Sequence, residues 1–96
     1  MEQTKNEIRV YSSIVKMALD RISVIDRETD AITDGIAGRI DALMKEKGIS
    51  KKKLAELTNH RPSDVTRWLG GGHNFTCKTI AIIQHALGAP IIEIAH

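Results

Sequence analysis

The groups best suited to recognition chemistry lie on a short predicted helix at residues 62–69. Its apolar residues Val65, Trp68 and Leu69 recur at helical spacing and are predicted to pack inward. The opposite side is small, polar or basic, which lets a helix enter the major groove of DNA and hydrogen-bond to base edges. The residues predicted to point outward are Ser63, Asp64, Thr66 and Arg67.

A pair of short helices joined by a tight turn is predicted over residues 49–71. Ser50 is a good N-cap for the first helix, Asn59 can adopt the left-handed conformation of the turn, and Pro62 suits the start of the second. Three glycines at 70–72 end the second helix. The buried side of the first helix is predicted to consist of Leu54, Ala55 and Leu57.

Two longer helices are predicted to flank this pair and complete an all-α domain at residues 33–88. One begins with Thr33 or Asp34 as its N-cap and ends at Gly48. The other is capped by Thr76 and ends at Gly88. Their predicted core positions are Ile36, Ile40, Leu43 and Met44 in one helix and Ile80, Ile83, Ala86 and Leu87 in the other, with Phe75 and Cys77 packed beside the second.

Residues 1–32 are predicted to form an amphipathic helix over about residues 4–26 and then a linker. The polar stretch DRETD indicates a break or hinge near 26–33. The apolar stripe could pack on its own domain, pair with a second copy or receive a protein partner. Its positions follow a 3-4 spacing: Ile8, Tyr11, Val15, Ala18, Ile22 and Ile25, continued by Thr29 and Ile32.

The C-terminal tail at residues 89–96 differs in character. Pro90 precedes Ile91, Ile92 and Ile94, and β-branched residues favour extended structure. A short β-strand is predicted here, and such a strand would pair most easily with the same strand of a second copy. The alternative is a fifth short helix.

Charge is unevenly distributed along the chain, although the net charge is only +2. Residues 1–47 hold eight Lys/Arg and nine Asp/Glu, whereas residues 48–96 hold six Lys/Arg and three Asp/Glu. The basic excess therefore coincides with the predicted helix pair, as nucleic-acid binding requires. The alternative for Lys51, Lys52 and Lys53 is an ordinary solvated helix start.

Other functional classes have little support in the sequence. Cys77 is the single cysteine, so an intrachain disulfide is excluded, and no signal or membrane segment is apparent, which favours the cytoplasm. His73, Cys77 and His85 lack the spacing of a metal site. No catalytic nucleophile with its base is recognisable, so we expect neither an enzyme nor a cofactor.

Taken together, residues 36 to about 87 resemble the helix-turn-helix domain of the Cro and phage-repressor family, also called the XRE family. The matching features are Ala55, the run Val65-Thr66-Arg67-Trp68, the glycines that follow, and HNFTCKTIAIIQHALG. The resemblance implies an all-α, lambda-repressor-like bundle, here with an added N-terminal helix. Within the family, the HNFT segment and compact size are similar to HigA-type antitoxins.

The resemblance also implies positions for DNA contacts. Bases would face Ser63, Asp64, Thr66 and Arg67, with Arg67 suited to a bidentate contact with guanine. Asp64 would either accept from cytosine or stabilise the helix start. Phosphates would be held by Lys51, Asn74, Thr76 and Lys78. Arg61 is added to the predicted phosphate contacts because of its own long cationic side chain.

Three positions depart from the family pattern. Asn59 replaces the usual glycine of the turn, Lys51 replaces a common glutamine, and Arg61 replaces a serine or threonine. Lys51 therefore favours a phosphate contact over a base contact. Arg61 indicates either a long cation that reaches the DNA or simple drift.

The sequence predicts a DNA-binding transcriptional regulator, a repressor that reads an inverted repeat as a homodimer with recognition helices about 34 Å apart. The alternative is an antitoxin that neutralises a toxin partner and autoregulates. A scaffold that keeps the fold but not DNA binding is disfavoured by Arg67 and Lys78.

Overall fold

The computed structural model describes the backbone of residues 2–95 and the side chains of residues 14–95. Four helices follow one another: α1 (Glu2–Lys47), α2 (Lys51–Thr58), α3 (Pro62–Leu69) and α4 (Cys77–Leu87). No strand occurs among residues 2–95, so the predicted all-α class is confirmed. Helices α3 and α4 pack against the C-terminal part of α1, and α2 packs against α3 and α4, while the rest of α1 extends away from them.

The predicted break at residues 26–33 is wrong, because α1 is uninterrupted from Glu2 to Lys47. Thr33 is not an N-cap, since it lies inside the helix and its hydroxyl donates to the Asp30 carbonyl at 3.2 Å. Asp34 is likewise internal. The DRETD stretch contains neither glycine nor proline and its side chains are exposed, so a helix can continue there without burying charge.

One aliphatic core joins all four helices. Ile40, Leu54, Val65 and Ile83 are each 0% exposed, and Trp68 packs beside them at 3%. The remaining predicted core positions of α1 and α4 are buried as well, except Ala86, which is partly buried against the core. This cluster fixes α3 against α1 and α2, so the outward side of α3 has a defined orientation.

Two predicted core positions are exposed instead. Leu57 is 46% exposed, because α2 turns Leu54, Ala55 and Thr58 inward and leaves Leu57 on its other side. Cys77 is exposed because it is the first residue of α4, one turn before the buried Ile80. Phe75, in contrast, packs against the core as predicted.

The helix ends follow the predicted signals. Ser50 accepts a hydrogen bond from the Lys53 backbone N–H at 3.1 Å, and Thr76 accepts one from the Thr79 backbone N–H at 3.2 Å. Asn59 ends α2 in the left-handed region at φ 55° and ψ 43°. Pro62 occupies the first turn of α3, as its fixed φ favours.

The tail forms neither the predicted strand nor the alternative helix over residues 90–95. The Gln84 side-chain carbonyl accepts from the backbone N–H groups of Ile91 at 2.8 Å and Ile92 at 3.2 Å. Arg39 Nε donates to the Pro90 carbonyl at 3.2 Å. Backbone groups that a strand would use are therefore already bonded, and Ile91 packs against the core.

The conformation of Asn59 gives a prediction for stability. Asn59→Ala is expected to lower the free energy of unfolding by about 1 kcal/mol, because a Cβ without a compensating polar group is strained at positive φ. Asn59→Gly removes that strain and is expected to be at least as stable as Asn59→Ala. Urea denaturation of both variants measures the difference, and an alanine variant as stable as the wild type would contradict it.

Candidate nucleic-acid interface

Helix α3 presents the polar side that the sequence predicts. Val65 and Trp68 are buried at 0% and 3% exposure, so they set the rotation of the helix about its axis. Ser63, Thr66 and Arg67 are exposed, and Asp64 is partly buried. An eight-residue helix with this division can present its outer side to a groove while its inner side holds it in place.

Asp64 is hydrogen-bonded to two other predicted contact residues, Arg61 and Arg67. Its carboxylate accepts from the Arg61 backbone N–H at 3.1 Å. Its other oxygen accepts from Arg67 Nη2 in a short ion pair one turn along the helix. Asp64 therefore stabilises the start of α3, one of the two roles considered for it, and also orients the Arg67 guanidinium.

The electrostatics of this pair keep it charged. The Arg61 backbone N–H, and to a smaller extent the Arg67 guanidinium, hold the pKa of the Asp64 carboxyl below its usual value, against the opposing effect of burial. The ionised carboxylate is thus retained at neutral pH and is lost only as the pH falls through that lowered pKa. The Arg67 side chain is 68% exposed, and its guanidinium has further donors besides the one bonded to Asp64.

Thr66 and Ser63 contribute hydroxyl groups beside Arg67. The Thr66 hydroxyl donates to the Pro62 carbonyl at 3.1 Å, which leaves its oxygen lone pairs able to accept. Ser63 lies in the first turn of α3 and is exposed. Both are short side chains, so a base edge can approach the helix closely.

The predicted phosphate contacts lie at helix starts. Lys51 is the first residue of α2, Arg61 is the N-cap of α3, Thr76 is the N-cap of α4, and Lys78 follows in its first turn. All four are exposed, as is Asn74 just before α4. Unpaired backbone N–H groups and the helix dipole make such ends favourable for an anion.

The starts of α2 and α4 are unusually positive. Neither helix has an acidic residue in its first turn, and α2 begins with Lys51, Lys52 and Lys53. Those lysines oppose the helix dipole in the free chain. An anion near that end would relieve the repulsion, so the arrangement suits a phosphate ligand.

Two features of the interface were not predicted from the sequence. Thr79 shares a hydrogen bond of 2.9 Å between its hydroxyl and that of Thr76, beside the cap itself. The Asp64–Arg67 ion pair is the other. In each pair the two residues are three positions apart, a spacing at which side chains of a helix are neighbours. That spacing could have predicted both contacts from the sequence.

Two histidines make contacts within the fold, and one of them, His73, is among the residues considered as metal ligands. His60 Nδ1 donates to the Thr58 carbonyl at 2.8 Å, and the ring lies edge-on to Trp68 at 5.0 Å. His73 packs edge-on to Phe75 at 4.7 Å. Among the described residues, no group of three or more His, Cys, Asp or Glu is arranged to hold a metal ion.

None of the described helices combines the length and the apolar character needed to cross a bilayer.

Comparison with known proteins identifies the same region. Residues 39–95 match the family of Cro/C1-type HTH DNA-binding domains. A solved structure of a point mutant of the restriction-modification controller protein C.Esp1396I is similar, with a TM-score of 0.55 and 21% identity over 58% of this chain and 75% of that chain. At that identity the likeness concerns the fold, which confirms the lambda-repressor-like arrangement. No curated protein sequence matches this chain.

Proposed function

Because this chain belongs to the family of Cro/C1-type helix-turn-helix DNA-binding domains, we propose that it is a sequence-specific transcriptional repressor. The observation that carries the proposal is the construction of α3. Its inner side is fixed by Val65 and Trp68, and its outer side presents Ser63, Thr66 and Arg67. A helix that reads the major groove requires such a buried apolar side and an exposed polar side.

Arg67 is proposed as the main base-reading residue. Its guanidinium can donate two parallel hydrogen bonds to O6 and N7 of guanine. Asp64 already holds one edge of that guanidinium, which reduces the side-chain freedom lost on binding. Ser63 and Thr66 then contact a neighbouring base edge or phosphate.

Phosphate contacts are proposed on both sides of α3. Lys51 at the start of α2 and Lys78 at the start of α4 supply the charge, with Asn74 and Thr76 beside Lys78. Arg61, exposed at the N-cap of α3, supplies a longer cation. Such contacts fix the register of the protein on the duplex and supply most of the sequence-independent affinity.

Two copies are proposed to bind one operator. An eight-residue helix reaches only a few base pairs, which is too little for selection within a genome. Two copies related by a two-fold axis would read an inverted repeat, because the symmetry of the operator mirrors that of the protein. Repression would follow where the operator overlaps a promoter.

The phosphate contacts give a prediction that tests DNA binding itself. Lys78→Ala is expected to weaken binding to operator and random duplexes alike and to reduce the slope of log affinity against log salt by about 1 per site. Fluorescence anisotropy with a labelled random duplex, over a salt series, measures both effects. Lys16→Ala, a matched exposed lysine on the extended part of α1, is the control. A chain whose affinity for duplex is absent or independent of salt would contradict the proposal.

An antitoxin remains the second candidate, because the extended part of α1 has an exposed apolar face that a protein partner could cover. Ile22, Ile25 and Ile32 are 52%, 53% and 64% exposed. In that function DNA binding would serve autoregulation. A chain that stays monomeric, with this face free, and that blocks the activity of a co-expressed toxin would favour this candidate.

A further inference from the structure

The hydroxyl group of Thr66, on the outer side of α3, already has a partner within its own helix. It donates to the Pro62 carbonyl, four residues earlier, at 3.1 Å. The direction of this bond is fixed, because a carbonyl oxygen carries no hydrogen and can only accept. A hydroxyl has one hydrogen and two lone pairs, so the exposed Thr66 side chain can still accept but has no second hydrogen to donate.

This hydrogen count limits what Thr66 can bond on a DNA duplex. Phosphate oxygens, the O6 and N7 atoms of guanine and the O4 atom of thymine are all acceptors, so each of them needs a donor from the protein. The donors in the major groove are the amino groups N6 of adenine and N4 of cytosine. A threonine that only accepts can therefore hydrogen-bond to these amino groups and to none of those acceptors.

We propose that Thr66 reads the amino group of an adenine or a cytosine near the guanine contacted by Arg67. The inference rests on the proposed function and narrows the contacts of Thr66 to a base edge, because an ionised phosphate has no hydrogen to offer. One oxygen acceptor does not distinguish the two amino groups from each other. Thr66 thus selects adenine and cytosine against guanine and thymine on the strand that it contacts.

Asp64, the other acceptor on the polar side of α3, is already engaged. One of its carboxylate oxygens accepts from the Arg61 backbone N–H at 3.1 Å, and the other accepts from the Arg67 guanidinium. At about 100° per residue, Asp64 and Thr66 lie about 160° apart around the helix, on opposite flanks of Ser63 and Arg67. The acceptor for an amino group is therefore Thr66, while Asp64 holds Arg67.

The internal bond of Thr66 is retained when an amino group binds. The amino group uses the lone pairs of the hydroxyl oxygen and leaves the hydroxyl hydrogen on the Pro62 carbonyl. Contact with a phosphate would instead require the hydroxyl to rotate and give up that bond. The bond also holds the side chain in one rotamer, which reduces the freedom lost on binding.

Selection of bound duplexes from a random DNA pool is carried out with the wild type, Thr66→Val and Thr66→Ser. Valine has the shape of threonine without the hydroxyl, whereas serine keeps the hydroxyl and can make the same bond to the carbonyl four residues earlier. Thr66→Val is expected to lose the preference for adenine or cytosine at one position and to keep the guanine that depends on Arg67. Thr66→Ser is expected to keep both.

The amino group itself is then removed at the position that Thr66→Val identifies. In the selected duplex, adenine is replaced by purine, or cytosine by pyrimidin-2-one, each of which lacks only the exocyclic amino group. The replacement is expected to weaken wild-type binding about fivefold, the effect of one neutral hydrogen bond, and to change the affinity of Thr66→Val by less than about twofold. Fluorescence anisotropy measures both proteins on the same duplexes, so any change in base pairing affects them equally.

Thr29→Val is the matched control, because the Thr29 hydroxyl donates to the Ile25 carbonyl four residues earlier at 2.7 Å, on the extended part of α1. It is expected to leave the selected motif unchanged, and circular dichroism checks that every variant retains the fold.

The possible contrary results separate the alternatives. Equal weakening of Thr66→Val on all duplexes would indicate a phosphate contact, and loss of the preference in Thr66→Ser as well would indicate a contact through the threonine methyl group. Either result, or an amino-group replacement that weakens wild type and Thr66→Val equally, would overturn the inference. A motif with its Arg67-dependent guanine that Thr66→Val leaves unchanged would overturn this inference alone, whereas a chain that selects no motif would contradict the proposed function.

Discussion

Arg67→Ala is expected to reduce affinity for the operator by about 1–3 kcal/mol and to affect unrelated DNA much less. The reason is geometric. In the proposed contact, the Arg67 guanidinium donates two hydrogen bonds to O6 and N7 of guanine, a pair of acceptors that no other base offers, and the alanine variant loses both. Asp64 would be left without its cationic partner but would still accept from the Arg61 backbone N–H, so α3 keeps its start. Anisotropy titrations on the operator and on duplexes altered at each position measure the effect.

Arg61→Ala is the matched control for that experiment. Arg61 is an exposed arginine at the N-cap of the same helix, and its proposed contact is with phosphate. Its loss is expected to lower affinity for all duplexes by a similar factor and to leave base preference unchanged. If Arg67→Ala and Arg61→Ala lowered operator and unrelated affinity in the same ratio, Arg67 would not be a base reader.

Leu54→Ala is expected to lower the free energy of unfolding by about 2–5 kcal/mol, because it opens a cavity at the centre of the core. Leu54 is 0% exposed and lies where α2 meets α3 and α4. Leu57→Ala makes the same chemical change three residues along the same helix, where the side chain is 46% exposed. Its expected effect is within about 0.5 kcal/mol.

Urea denaturation followed by circular dichroism measures both variants. The contrast tests the orientation of α2 directly, since the sequence predicts both leucines as buried and the structure buries only one. Equal losses for the two variants would contradict the described packing of the core.

Much of the helix-turn-helix region could be predicted because its signals are local. Ser50, Asn59, Pro62 and Thr76 each act on helix ends within a few residues, and the structure places all four as predicted. Val65 and Trp68 set the direction of α3 because two large apolar side chains three residues apart must share a side. These signals depend on the types and spacing of neighbouring residues and not on tertiary contacts.

The predictions were wrong where tertiary contacts, or their absence, determine where a helix ends and which side of it is buried. DRETD is polar, but polarity alone does not end a helix. Its side chains are exposed to solvent, and α1 continues through it. Leu57 is apolar, yet the rotation of α2 is set by Leu54, Ala55 and Thr58. No periodicity in the sequence could distinguish these outcomes.

In the tail and in the interface, too, residue types predicted some features, while others depend on contacts between residues. Residues 90–94 have strand propensity, but the backbone N–H groups of Ile91 and Ile92 donate to the side-chain carbonyl of Gln84, which lies seven residues before Ile91. In the interface, residue types predicted the polar side of α3, while the double role of Asp64 depends on which of its neighbours its carboxylate meets. Contacts with DNA stay predictions from position, exposure and charge.

The central claim is that the outer side of α3 reads sequence, and selection of bound duplexes from a random DNA pool tests it most directly. The expected result is a short motif that occurs twice in inverted orientation, with a guanine whose enrichment disappears when the selection is repeated with Arg67→Ala. A pool that shows no enriched motif, or the same motif for wild type and Arg67→Ala, would contradict the claim.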